Sequence, residues 1–492
     1  MPRDHRSPRR PVLVIAAKEL RESLRDGRFR ALAIAILVLL VAALAAGWLD
    51  TRQARTAIET ARAADHATWH DQGPRNPHSA AHFGQFVFKP RPLLSTFDRG
   101  VDPYLGTAVR LEAHWQDPFS LRPAEDRTAV QRFGELTAAF ALQVLVPLLI
   151  VITGFAAFAG ERERGTLRQL ASLGVARRTL VFGKALGLGA GLTLVLGPAA
   201  VLAAMLALTT GERAVQGSAD ESILAGAGVL ALVYATYFAT FLALVLAVSA
   251  RARRARTALV VLLGFWMLQS VVAPRLVADL AERVHPIPSA RAFFAAIAED
   301  DARGLDGAGN RTERRQSLEA GLLESYGVAS VDELPINFAG LALQASEEHA
   351  NLVFDHHYGA LWQRYAAQEQ VHLWGALASP RLAVRSLSMA VSGTDVARHH
   401  DFAAAVEAHR RELVKLLNDD MTYNAGNADF GYLADDELWH AAPVFRDQPP
   451  SLAAALAGQR PAFAALLAWL VAAFALATVA ASRLRVLPEA RS

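Results

Sequence analysis

The chain has 492 residues, of which 53% are hydrophobic, a formal net charge of +3 and no cysteine. Apolar runs of about twenty residues recur, the length a helix needs to cross roughly 30 Å of hydrocarbon, and this excludes an ordinary soluble globular protein. The missing cysteines exclude disulfides as a support for any polar domain. An isoelectric point near 9.3 does not point to nucleic acid, because the basic residues are spread over several segments instead of forming one patch.

In chain order, the N-terminal thirty residues carry nine basic side chains (Arg3, Arg6, Arg9, Arg10, Lys18, Arg21, Arg25, Arg28 and Arg30). Leu13, Ala17, Leu20 and Leu24 share one helical face, with Lys18, Arg21, Glu22 and Arg25 away from it. An amphipathic helix lying along the inner membrane surface is expected over 1–30. The first span follows at 31–49. It is too long for a signal peptide despite the small residues Ala43 and Ala45, so no cleavage is expected. A first polar segment covers 50–135, with strand expected at Phe86 to Pro90 and Ala108 to His114. Residues 136–273 hold the second to fifth spans, a second polar segment covers 274–461, the sixth span is 462–481, and a short tail ends the chain.

Short loops rich in Arg and Lys stay in the cytosol. Arg251, Arg253, Arg254 and Arg256 follow the fourth span, whereas the short loop from Gly211 to Glu221 has only Arg213. Both termini and the loop 160–179 are therefore expected inside, and both polar segments outside. Lysine occurs only as Lys18, Lys89, Lys184 and Lys415, a bias toward arginine that suits a GC-rich bacterium and hence its inner membrane. The expected fold is an all-α polytopic bundle of six transmembrane helices with two extracytoplasmic insertions, mostly helical with minor strand.

Between the second and third spans lies "ERERGTLRQLASLGVARR", residues 161–178. Gly165 is expected to break the helix, and Thr166 with Gln169 has the spacing of a capping box that starts a new one. Leu167, Leu170 and Leu173 form one apolar stripe, and Gly174 is suited to end the helix. Glu161 and Glu163 are expected to pair with Arg162, Arg164 and Arg168. A two-turn helix of this kind is free to receive another protein along its leucines; it also suits a plain interfacial turn.

The run Glu161, Glu163, Gly165, Thr166, Leu167, Leu170, Arg178 and Gly183-Lys184 resembles the E-x-E-x-G-T-L loop of ABC transporter permeases of the type 2 class. The stretches "SPRLAVRSLSMAVSGTDVARHHDF" (379–402) and "AHFGQFVFKP" (81–90) are similar to an uncharacterised ectodomain family inserted in such permeases. The resemblance implies an exporter half whose loop 160–179, through Glu161, Glu163, Gly165, Thr166, Leu167, Leu170 and Leu173, couples to cytosolic ABC ATPase subunits. It also implies a second permease copy or a related permease in the complex. The chain has no G-x-x-x-x-G-K-[ST] sequence, so no catalytic, cofactor or nucleotide site of its own is expected, and ATP is bound by the partner. The alternative is a membrane-anchored extracytoplasmic binding or enzymatic domain without transport.

In the third span Gly183, Gly187 and Gly191 recur every four residues and are expected to let a neighbouring helix approach closely. Gln143 and Gln269 are polar positions inside spans, expected to bond neighbouring helices or to line a path. His66/His70 and His78/His82 are spaced i, i+4, and His356/His357 and His399/His400 are adjacent. Pro74 and Pro77 interrupt the region between the first two pairs and no H-E-x-x-H occurs, so these are read as surface or capping residues and no metal is assigned.

Overall fold

The computed structural model describes residues 9–123, 125, 136–211 and 219–484. Arg3, Arg6, Arg213 and the tail after 484 lie outside the described residues.

Six helices are long and apolar enough to cross a membrane, and together they form a mostly helical polytopic bundle. Helix α1 (Arg9–Arg25) leads into α2 (Gly27–His70), the first span, through Asp26, whose carboxylate accepts the Arg28 N–H. The other spans are α4 (Ala138–Glu163), α6 (Arg177–Gly211), α7 (Ala219–Arg251), α8 (Ala255–Val284) and α16 (Arg460–Ser482). Between α4 and α6 runs the short α5 (Thr166–Ser172).

Three boundaries differ from expectation. Helix α2 does not stop at 49 but continues for 44 residues in all, about 66 Å at 1.5 Å per residue. Its polar half supports the sheet: Asp65 accepts the Phe86 N–H, and Arg55 and Arg62 donate to the carbonyls of Arg91 and Phe88. Helix α8 runs past 273 to Val284, through Pro274. Helix α12 (Pro380–Ser392), which belongs to the second polar segment by sequence, is buried over most of its length among the spans. Leu382, Ala383, Val384, Leu387 and Val391 share a core with Tyr234, Tyr237, Phe241 and Leu466.

The remaining polar residues form one module at the end of the bundle opposite α5. It comprises α3 (Pro77–Phe83), α9 (Ala290–Arg303), α10 (Arg311–Tyr326), α11 (Phe338–Gly375), α13 (Val396–Asn424) and α14 (Asp436–Ala441), while α15 (Leu452–Ala457) packs Leu452 and Leu456 against the core of the bundle. An antiparallel sheet completes it: β1 (Gln85–Phe88) and β2 (Ala108–Glu112) fall at the two places where strand is expected, and β3 (Trp115–Gln116) is an additional strand. Both polar segments contribute to one core, in which Val87, Val109 and Leu111 of the sheet meet Phe402, Val406, Leu413 and Leu417 of α13. Trp69 of α2 donates to the Trp439 carbonyl, and Trp439 donates to the Gly73 carbonyl.

Candidate functional site: the E-R-E knot and the proline turns

The loop between the second and third spans begins where α4 is interrupted at Phe155 to Phe158. Breaking a helix there leaves backbone donors in a buried place, where an unpaired group is costly. Ser249 of α7 satisfies them: its Oγ accepts the Phe158 and Ala159 N–H groups at 3.0 and 3.2 Å and donates to the Phe155 carbonyl at 2.7 Å.

The next three side chains each take a different neighbour. Glu161 is 3% exposed, and its Oε1 accepts Nζ of Lys184 and of Lys18, both at 2.8 Å. Lys184, itself 1% exposed, also donates to Glu19 Oε1 at 2.6 Å. Carboxylates therefore stand on α1 and α4, with ammonium groups on α1 and α6. Burial alone would lower the Lys18 pKa, but its bond to Glu161 and the charges of Glu19, Glu161 and Glu22 raise it above the ordinary lysine value. Arg162 reaches the carbonyls of Ala250 (2.7 Å) and Ala252 at the C-terminal end of α7, a favourable place for a cation. Glu163 accepts the Ala255 N–H at 3.1 Å, where α8 begins and a carboxylate is favoured. The expected pairing of these glutamates with Arg162, Arg164 and Arg168 is replaced by these tertiary contacts.

Helix α5 also differs in detail. Gly165 has φ 77°, a left-handed turn suited to glycine. Thr166 is the first helical residue, and its hydroxyl donates back to the Glu161 carbonyl at 3.3 Å, so the expected capping box does not start the helix. The leucine stripe does not face outward as a unit. Leu167 is buried in a core with Phe158, Leu180, Ala477 and Leu484, and Leu170 packs against its edge. Leu173 is 77% exposed. Gly174, at φ 72°, turns the chain after the helix, and Arg177 then donates to the Ser482 carbonyl at the end of α16. A cleft of ≈ 290 Å³ lies beside Leu173, lined by Leu167, Gly174, Val175, Ala176, Arg177, Leu180 and Leu484.

Gly183, Gly187 and Gly191 face α1 and the start of α2. A Cβ on Gly183 would lie 2.6 Å from the Ile15 side chain, and one on Gly187 would lie 2.7 Å from the Ala16 carbonyl oxygen. Gly191 faces Leu20 and Phe29. As the positions on α6 rise by four, so do those on α1, and the two helices run side by side in the same direction. Helix α1 is thus a partner of the third span, in place of the expected surface-lying helix.

A second polar construction occupies the bundle nearer the polar module, and sequence reasoning saw only its glutamines. Helices α4 and α8 each contain one π-helical turn, Ala141–Leu145 and Leu268–Val272. Each turn is followed two residues later by a proline, Pro147 and Pro274. Proline has no N–H and clashes with the carbonyl four residues back, here that of Gln143 and of Ser270. Both carbonyls find other donors: Tyr237 Oη donates to Gln143 O at 2.8 Å, and the Arg381 guanidinium donates to Ser270 O. Trp266 and Ser379 bond the neighbouring carbonyls, Val144 at 2.9 Å and Gln269 at 2.8 Å. From Gln143 a buried chain continues through Tyr234 (3.0 Å) and Ser388 (3.2 Å) to Asp98 (2.5 Å). The proline after each polar position was the available signal.

A six-span bundle whose helix ends are tied together by the residues leading into a short helical loop has the form of a transporter's membrane subunit. The chain belongs to the ABC-2 family transporter proteins, whose family pattern matches residues 13–483. No curated protein matches it. Membership makes it a multi-pass membrane permease of an ABC transporter and implies association with an ABC ATPase.

Proposed function

We propose that this chain is the membrane half of a bacterial inner-membrane ABC exporter, driven by a separate cytosolic ATPase that docks at α5. The basic end is cytosolic in this reading, on the charge distribution of the short loops. ATP binding and hydrolysis belong to the partner, and two permease copies with two ATPase subunits enclose the path. The observation that carries the reading is the E-R-E knot. Residues 161–163 bond α1, α6, α7 and α8 in turn, so displacement of the adjoining α5 is delivered to four helices at once.

The exposed tip at Leu173 and the cleft beside it provide the docking face, while buried Leu167 makes α5 move with the bundle. In the reconstituted permease–ATPase complex, Leu173→Glu is expected to weaken ATPase association with little effect on the permease fold. Arg162→Ala is expected to leave association intact and lower transport per ATP hydrolysed. Parent-like association in the first variant together with parent-like coupling in the second would reduce the loop to a connector and favour the anchored-domain alternative.

A further inference from the structure

Outside the bundle, the polar module brings together three imidazoles from two elements. His78 and His82 occupy successive turns of α3, started by Pro77 with Asn76 capping it. Ala80 and Ala81 face the core, which leaves the two histidines on the outer side with rings 4.6 Å apart and Nε2 atoms at 3.2 Å. The Ala113 N–H donates to the Ala81 carbonyl at 3.1 Å and so fixes the β2–β3 turn against α3. That turn holds His114 at φ 65°, a conformation uncommon without glycine, with its ring 5.2 Å from both others.

We propose that His78, His82 and His114 form a binding site for a first-row transition-metal ion, with Zn²⁺ as its representative, and that Glu347 orients His114. One ligand nitrogen from each ring lies within 4.8 Å of the others. Two nitrogens bound tetrahedrally at 2.0–2.1 Å stand roughly 3.3 Å apart, close to the separation of the His78 and His82 Nε2 atoms. Three imidazoles without thiolate suit zinc or copper rather than calcium or magnesium.

Glu347 is a second, independent indication. It is 2% exposed, on α11, and its Oε1 accepts both the His114 N–H (2.7 Å) and His114 Nδ1 (2.6 Å). A carboxylate on Nδ1 sets the tautomer, leaves the Nε2 lone pair free, and is the usual support of a metal-bound histidine. His78 Nδ1 is buried without a hydrogen-bond partner. Three protein ligands would leave a fourth coordination position for water. Its ligands belong to the first polar segment and the supporting carboxylate to the second, so binding would staple the two.

The test uses the full chain in detergent, purified without a histidine tag, stripped with chelator and titrated with Zn²⁺ against a chromogenic competitor. One equivalent per chain is expected, with Co²⁺ substitution giving a four-coordinate spectrum. His82→Ala, at an exposed position, and His114→Ala should each weaken binding by at least tenfold, and Glu347→Gln by roughly 10–100-fold. His70→Ala, in the separate His66/His70 pair, should leave it unchanged. No saturable binding to the parent chain, or parent affinity retained in a normally folded His82→Ala protein, would overturn the site.

Discussion

Glu161 shows why a buried charge in this chain is a structural commitment. Removing one partner of a buried ion pair typically costs about 3–5 kcal/mol, because the other is left unpaired in a poor solvent for charge. Glu161→Gln leaves Lys184 with only Glu19, and a loss near the lower end, about 3 kcal/mol, is expected. Lys184→Met in the same chain should cost less than the sum of the two single changes, as thermal unfolding in detergent would reveal. Glu161 was visible from its motif, but its partners were not: Lys18 lies 143 positions away, whereas the neighbouring Arg164 and Arg168 remain exposed. A carboxylate drawn inward must find an inward cation, and sequence adjacency does not identify it. His399 gives a residue-scale prediction in the polar module. Burial, then the charges of Lys89, Arg398 and His400, hold its pKa at about 3, against 6.5 ordinarily. The unfolded chain therefore takes up a proton below pH 6.5 that the folded chain refuses, and stability is lost as pH falls through that range. His399→Phe keeps the ring against Phe119 and should reduce the fall of the unfolding midpoint between pH 7 and 5; an unchanged pH profile would count against this assignment.

At the scale of elements, α1 and α6 explain how a correct pattern can have a different meaning. The apolar stripe of α1 would suit a membrane surface or a partner helix equally well, since periodicity records a face and not its occupant. The glycines at four-residue spacing on α6 were the clue to the occupant, because close backbone approach needs small residues on one side only. Gly187→Val should push α1 away, since even its Cβ would lie 2.6 Å from the Glu19 side chain and 2.7 Å from the Ala16 carbonyl. A destabilisation of about 1–3 kcal/mol is expected for such overpacking, with faster proteolysis at the Asp26 hinge. Gly197→Ala, where nothing lies within 4 Å, is the control and should cleave at the parent rate. The spans and both expected strand sites were legible. Burial of α12 was not, because its serines and arginines read as surface until the carbonyls that they serve are seen.

For the whole molecule, the two constructions share the same helices. The E-R-E knot holds α7 by its end at Ala250 and Ala252 and α8 by its start at Ala255. Nearer the polar module, the proline turns hold α4 to α7 through Tyr237 and α8 to α12 through Ser379 and Arg381. On the proposed coupling, a bundle bound at both levels would transmit displacement by shifting packed helices. The buried Gln143 carbonyl, which Pro147 leaves without a helical partner, is held by the Tyr237 hydroxyl. Tyr237→Phe removes that donor while keeping the ring, and a buried carbonyl left unpaired costs about 1–3 kcal/mol. If the proline turns are where motion from α5 reaches the path, Tyr237→Phe should lower transport per ATP hydrolysed in the reconstituted complex. Its ATPase association should stay normal, because Tyr237 is far from α5 in the helix. Combined with Arg162→Ala, the stability losses should simply add, as they do for separated sites. The coupling losses should not add, because cutting one transmission line twice has little further effect. Additive losses in both quantities would make the two levels independent supports, and the proline turns would then serve the fold of α4 and α8 alone.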